Sequence, residues 1–295
     1  MPLVRVTPFK EVLGCTLGAR VENVNLAALD DDSWAAIERA FHEHALLVFP
    51  GQHLTPEAQE SFARRFGEIE VLVEGKRSIA ISNRGDEGQI LREDSKFMKL
   101  LRGNEGWHTD SSYMPLAAKA SVLSAQVLPP RGGETEWADM RAAYEALDPG
   151  LRARVDTLTA RHSLFYSQAR IGADAEVGDY YGFHAGDAPL RPLVKVHPVT
   201  GRRSLFIGRH ACNIDGMTPR ESEAFLDGLM DFACQAPRVY THRWQPGDVI
   251  MWDNRATLHR GRPWPDVKPR HMVRTTISAG AADGLPEGVP RSTST

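Results

Sequence analysis

The period of the apolar positions changes several times along this chain, and each change marks an element. Residues 21–25 (VENVN) alternate apolar and polar, the two-residue period of a half-buried strand. From Asp30 the period lengthens. Trp34, Ile37, Phe41 and Ala45 recur every three or four residues behind three capping aspartates, which predicts a helix. LLVFPGQ, residues 46–52, reads as a buried strand stopped by Pro50-Gly51. Thr55-Pro56 supplies an N-cap hydroxyl and a proline at the first helical position, with Gly67 just past the end of that helix. Residues 78–83 (SIAISN) form another strand, and residues 84–106 have no period at all. That charged, Gly-rich stretch is expected to be a long loop, a candidate lid over a site.

Further on, residues 120–128 (ASVLSAQVL) make a strand ended by Pro129-Pro130, and residues 139–147 and 150–158 make two short helices. Short strands are expected at 192–197 and 204–208. The capping box Thr218-Pro219-Arg220-Glu221 opens an amphipathic helix that runs to about Cys234. Strands at 239–243, 249–252 and 272–278 complete the pattern. Many short strands with a few helices predict a mainly β fold with flanking α-helices around a double-stranded β-helix, the jelly-roll or cupin-like core. No repeat or linker divides the chain, so residues 1–279 are expected to form a single domain. Residues 280–295 (GAADGLPEGVPRSTST) have the composition of a disordered tail.

The chain has 295 residues, 42% hydrophobic and 25% charged, enough for a sizeable core. A net charge of -3 argues against a broad nucleic-acid footprint. The most apolar run, ALLVF at 45–49, is far short of the roughly 20 residues a membrane span needs. Cys15, Cys212 and Cys234 are scattered and form no CxxC, which fits a reducing cytoplasm without disulfides or a structural zinc site. A cytoplasmic homo-oligomer acting on a small molecule is the expected state.

Chemistry enters at WHTDSS, residues 107–112. On an extended strand His108 and Asp110 would project to one face and offer a cation one nitrogen and one oxygen. Alone, such a pair is a weak sign. In WDNRATLHRGRPW, residues 252–264, His259 follows a strand and supplies a third donor. Two histidines and one carboxylate are the facial ligand set of non-haem Fe(II) oxygenases, and a three-ligand zinc site is the rival. Arg270 and Arg274, four residues apart, share one face of a strand and suit two carboxylates. In PPRGGETEW, residues 129–137, the local pattern by itself says only that Thr135 follows a turn.

Together LLVFPGQ, FARRFGEIE, WHTDSSY, LPPRGGETEWADMRAAYEAL, LFIGRHA and GDVIMWDNRATLHRGRPW resemble the TauD/TfdA superfamily of Fe(II)- and 2-oxoglutarate-dependent dioxygenases, over residues 21–278. MRAAYEALD, RHSLFYSQ, PLRPLVKVHP and FIGRHA look most like its aryloxyalkanoate branch, the phenoxy-herbicide dioxygenases. The resemblance implies Fe(II) on His108, Asp110 and His259, with 2-oxoglutarate and O2 as co-substrates. It implies that Thr135 and Arg270 hold the distal carboxylate of 2-oxoglutarate, and that Arg274 and Asn104 meet a small anionic aromatic substrate. Hydroxylation next to the ether oxygen of 2,4-dichlorophenoxyacetate or a phenoxypropionate would release a phenol and glyoxylate or a 2-oxo acid, with succinate and CO2. A taurine or alkylsulfonate dioxygenase is the alternative within the superfamily, and a jelly-roll metal protein that never uses O2 is the alternative outside it. Leu72, Val73, Phe97, Met98, Tyr113 and Phe165 are candidates for the wall of an aromatic pocket, with His162, His197 and His210 as further candidates near the site.

Overall fold

The computed structural model describes residues 3–72, 75–85, 87–179, 181–265, 267–280 and 283, so nearly all of the expected tail lies outside the described residues. In chain order the strands are β1 (Arg5–Pro8), β2 (Ala19–Glu22), β3 (Leu46–Phe49), β4 (Ser78–Ser82), β5 (Ala118–Val127), β6 (Thr135–Asp139), β7 (Thr159–His162), β8 (Leu190–Pro192), β9 (Val194–Val196), β10 (Arg203–Leu205), β11 (Ala211–Ile214), β12 (Val239–His242), β13 (Val249–Asp253), β14 (Thr257–Gly261) and β15 (His271–Ser278). The α-helices are α1 (Phe9–Leu13), α2 (Asp31–His44), α3 (Pro56–Arg64), α4 (Lys96–Arg102), α5 (Met140–Glu145), α6 (Pro149–Val155), α7 (Leu164–Ala169) and α8 (Pro219–Ala233). The protein is mainly β with flanking helices.

The predicted caps form as the local chemistry requires. Asp30 accepts from the Ser33 amide at the start of α2, and Thr55 accepts from the Ala58 amide ahead of Pro56. At α8 the capping box of Thr218 and Glu221 is complete.

A seven-stranded sheet in the order β1-β2-β3-β13-β5-β15-β4 forms the backbone of the fold, and β12-β6-β14 form a second sheet. The two-residue period divides the central strands between two cores. Leu47, Phe49, Ala120, Val122, Val249 and Met251 face the side where α2 and α3 bring Ile37, Phe41 and Phe62. Leu46, Val48, Leu123, Ile250, Trp252 and Met272 face the other side, against Trp137 of β6 and Tyr240 of β12. Covered on both faces, LLVF and VIMW read as unbroken apolar runs rather than as alternating ones.

Two expectations are corrected. The stretch from 84 to 106 is not one long loop: Ser95 caps α4 through the Met98 amide, and a 3₁₀ turn, Gly103–Glu105, follows it. Met98 and Leu101 on α4 are buried, and their three-residue spacing behind the capping Ser95 is the local trace of this helix in a charged segment. The expected strand at 192–197 is two short strands, β8 pairing with β7 and β9 with β10.

Candidate active site

His259 lies in β14, and its backbone exchanges two hydrogen bonds with His108, at 3.0 and 2.7 Å. This single antiparallel bridge sets the two imidazoles side by side, ring centroids 4.1 Å apart. His108 and Asp110 therefore do not share a continuous strand. The chain turns at Asp110, and Ser111 adopts a left-handed φ of 51°. That turn brings the carboxylate round, so one ligand atom from each of His108, Asp110 and His259 lies within 4.8 Å of the others, all three side chains buried.

Each ligand is oriented by its surroundings. The Nδ1 of His108 lies 2.8 Å from the Gly106 carbonyl; a carbonyl only accepts, so Nδ1 carries the proton and Nε2 keeps its lone pair. One ring nitrogen of His259 lies 3.7 Å from Asp110, and the other has no partner among the described residues. Asp110 accepts from Ser121 Oγ at 2.7 Å and from an Arg274 guanidinium nitrogen at 2.8 Å. Burial alone would raise its pKa, but Arg274 and the two imidazoles hold it below the usual carboxylate range. Burial, with the neighbouring imidazole, pushes His108 well below its ordinary value, and burial lowers His259 to about 4. At neutral pH the cluster is two neutral imidazoles and one carboxylate, a donor set that fits Fe(II) without releasing a histidine proton.

A cleft opens beside these residues, and Asn104, His108, Thr135, His259, Arg270 and Arg274 all line it. Its apolar wall is Ile81, Leu101, Leu123, Trp252 and Trp264. Leu72, Phe97, Met98, Tyr113 and Phe165 are not among its lining residues, and Val73 lies outside the described residues. Which way a side chain faces in the folded protein follows from tertiary packing, which a residue's hydrophobicity does not reveal.

Arg270 is 5% exposed and donates to the Gly133 carbonyl, while its Nε finds no acceptor. Among the described residues no carboxylate pairs with it, so a permanent cation faces the cleft, its pKa pushed down by burial only to about 10. Gly133, at φ 74°, keeps this approach open, since a Cβ there would meet the guanidinium at 3.0 Å. The Trp244 indole donates to Thr135 Oγ at 2.9 Å, leaving the Thr135 hydroxyl proton free for an acceptor. An anion with carboxylate geometry fits this arrangement. Arg274 lines the same cleft with one nitrogen on Asp110 and its Nε without a partner among the described residues.

Sequence reasoning missed Asn254. Its side-chain oxygen accepts from Thr109 Oγ, the Asp110 amide and the Trp252 indole, and its nitrogen donates to Ser121 Oγ. Asn254 thus positions both the backbone and, through Ser121, the carboxylate of Asp110. The ring of Trp252 also packs on His259, centroids 4.7 Å apart. Glu70 was missed too. Burial raises its carboxyl to about 7, and it accepts from Ser111 and Tyr181 beside the turn. Nothing local in WDN or GEIE announces these partners.

A second cluster, His42, His197 and Asp253, also meets the distance test for a metal. Two of its three members are already committed: Asp253 is held by Arg255 and His197, and the other His197 nitrogen accepts the Val199 and Thr200 amides. It is a structural network. His210, one of the histidines of interest, lies against His108 with centroids 6.0 Å apart, bonded to Ser167 rather than aimed at the ligands.

Similarity to known proteins agrees with this geometry. The profile of the taurine catabolism dioxygenase TauD, TfdA family matches residues 6–276. A (S)-phenoxypropionate/alpha-ketoglutarate-dioxygenase of Sphingobium herbicidovorans is 52% identical over 92% of this chain and 94% of that protein. A protein of the same name from Delftia acidovorans is 51% identical over 93% of this chain and 95% of its own length. The crystal structure of AAD-2 in complex with Mn(II) and N-oxalylglycine matches with a TM-score of 0.87 at 36% identity, over 96% of this chain and 99% of that one.

Proposed function

The chain belongs to the taurine catabolism dioxygenase TauD, TfdA family, and on that premise we propose that it oxidises an aryloxyalkanoate of the 2-phenoxypropionate or phenoxyacetate type. It is an Fe(II)- and 2-oxoglutarate-dependent dioxygenase. His108, Asp110 and His259 hold the iron, the reading supported by their donor set and spacing. Bound there, Fe(II) supplies the O2 chemistry that converts 2-oxoglutarate to succinate and CO2 while hydroxylating the substrate. The protein's own contribution is positioning and the exclusion of water. Arg270 and Thr135 take the distal carboxylate of 2-oxoglutarate. Arg274, between Asp110 and the cleft, meets the substrate carboxylate, and Asn104 in the 3₁₀ turn borders the same space. Leu101, Leu123 and Trp264 give an aryl ring the apolar wall it needs. Hydroxylation of the carbon bonded to the ether oxygen gives a hemiacetal that collapses to a phenol and a 2-oxo acid or glyoxylate.

The observation that carries this reading is the juxtaposition, in one cleft, of the histidine–carboxylate cluster with an unpaired buried Arg270. We read the two sheets packed across Trp137 and Trp252 as the halves of a double-stranded β-helix, with the site between them at one end. The test is succinate formation against a panel of phenoxypropionates, phenoxyacetates, taurine and alkylsulfonates. Faster coupled turnover of a sulfonate than of any phenoxy acid would overturn the substrate assignment. Activity supported by zinc without 2-oxoglutarate would overturn the chemistry.

A further inference from the structure

Away from the cleft, two successive small sheets, β11-β7-β8 and β10-β9, collect buried positive charge without counter-charge among the described residues. Arg191 of β8 lies across from Ala160 of β7, and His162, two residues further along β7, shares that face. Burial alternates through the next residues: Arg191, Leu193 and Lys195 are buried, whereas Val196 is exposed. Lys195 therefore returns to the same side, and Ser204 of β10 stands directly opposite it. Phe206 lies among them, with Lys195 Nζ 3.5 Å from its ring centroid and the His162 ring stacked on it at 5.3 Å.

None of these four polar side chains is more than 5% exposed. Among the described residues, one terminal nitrogen of Arg191, the Lys195 ammonium, both His162 nitrogens and Ser204 Oγ have no hydrogen-bond partner. Among the described residues no carboxylate acts on Arg191, Lys195 or His162; the only charges that reach them are each other's. Buried N–H donors without acceptors are unfavourable, and buried cations without a counter-ion much more so. The Phe206 ring answers only part of the Lys195 charge.

We propose that this face is a binding site for one compact monovalent anion, chloride or a small carboxylate such as formate, held by Arg191, Lys195 and Ser204 with a ring N–H of His162. None of the four lines the catalytic cleft, so this is a second site. It is coupled to the first through Arg191. The remaining guanidinium nitrogens of Arg191 donate to the carbonyls of Ser112, Met114 and Pro115, at 3.4, 2.6 and 3.0 Å. Those carbonyls belong to the turn that follows Asp110, so the anion and the metal-binding turn share one cation.

The test is thermal melting of the full chain with saturating 2-oxoglutarate, which occupies Arg270. Chloride, formate or sulfate replaces gluconate at constant ionic strength. Chloride or formate is expected to raise Tm saturably by on the order of 3 °C, while sulfate, larger and dianionic, does not. Whichever anion saturates at the lower concentration is the better match to the site. Lys195→Met is expected to abolish the response and to melt in gluconate no lower than the wild type, because it removes an unpaired buried cation. If that variant does not fold, Ser204→Ala, which deletes one hydroxyl, must shift the chloride response to higher concentration. Crystals soaked in bromide should show an anomalous peak against Lys195. A Tm that follows ionic strength regardless of the anion overturns the proposal. So does a chloride response retained in Lys195→Met, or the absence of bromide at Lys195.

Discussion

Replacing Arg270 by Met separates the role of the guanidinium from that of its packed stem. Met keeps most of the side-chain volume against Trp264, over which the Arg270 guanidinium lies at 5.1 Å. What it deletes is the charge and the donors turned toward the cleft. Two hydrogen bonds between a guanidinium and a carboxylate, at about 1.5 kcal/mol each, give about 3 kcal/mol, or roughly 150-fold in affinity. Thr135 retains one donor, so binding of 2-oxoglutarate is weakened rather than lost. The structure also sets the sign of a second effect. Arg270 has no ion pair among the described residues and only the Gly133 carbonyl as acceptor, so the ligand-free protein loses little. Its Tm is expected to stay level or rise. The assay is anaerobic titration of the Fe(II)-loaded protein with 2-oxoglutarate, following the weak visible charge-transfer band of the chelate, beside melts without ligand. A 2-oxoglutarate affinity within threefold of wild type would refute the assignment, as would a variant whose lost affinity simply follows a collapse of Tm.

His108→Ala is expected to abolish turnover and to weaken metal binding severely while the far-UV circular dichroism stays native; residual activity above a few per cent would remove His108 from the ligand set. Asn254→Ala deletes the side-chain acceptor for the Asp110 amide and the donor to Ser121, and a loss of roughly 10–100-fold in metal affinity by calorimetry is expected, since partners that orient ligands act on this scale. Leu101→Phe enlarges a cleft wall and should raise KM for a phenoxypropionate by about tenfold with the KM for 2-oxoglutarate unchanged; equal effects on both would place the wall elsewhere. For pH, burial holds His108, His162 and His210 neutral well below their ordinary range and His259 down to about 4. In the unfolded chain they protonate near about 6.5. Stability is therefore full above that pH and falls as pH drops toward 4, by up to about 1.4 kcal/mol per pH unit for each histidine. Glu70, raised to about 7, works the opposite way between its ordinary value and 7, one group against four. Urea unfolding of the metal-free protein at pH 7.5, 6 and 5 should show decreasing stability, and a flat profile would contradict the burial argument.

Wherever the fold is written in nearest neighbours, the sequence alone was enough. The caps at Asp30, Thr55 and Thr218, the apolar runs of β3 and β13, and the His108-x-Asp110 pair depend on residue type and short spacing. His108, Asp110 and His259 were legible as a candidate ligand set because few side chains can hold a metal, and because the surrounding motifs carry a family resemblance. The tertiary structure decided what those residues meet. It replaced the expected strand at His108 with a single bridge to β14 and a turn at Ser111, because β14 lies 150 residues further along the chain and its pairing fixes the direction of the ligands. It placed Asn254 and Ser121 behind Asp110, α4 beside the cleft, and Arg191 and Lys195 on one uncompensated face. Distances between residues far apart in the chain are set by how two sheets pack, and the energy of a buried charge depends on what packs around it. Neither quantity has a local signature.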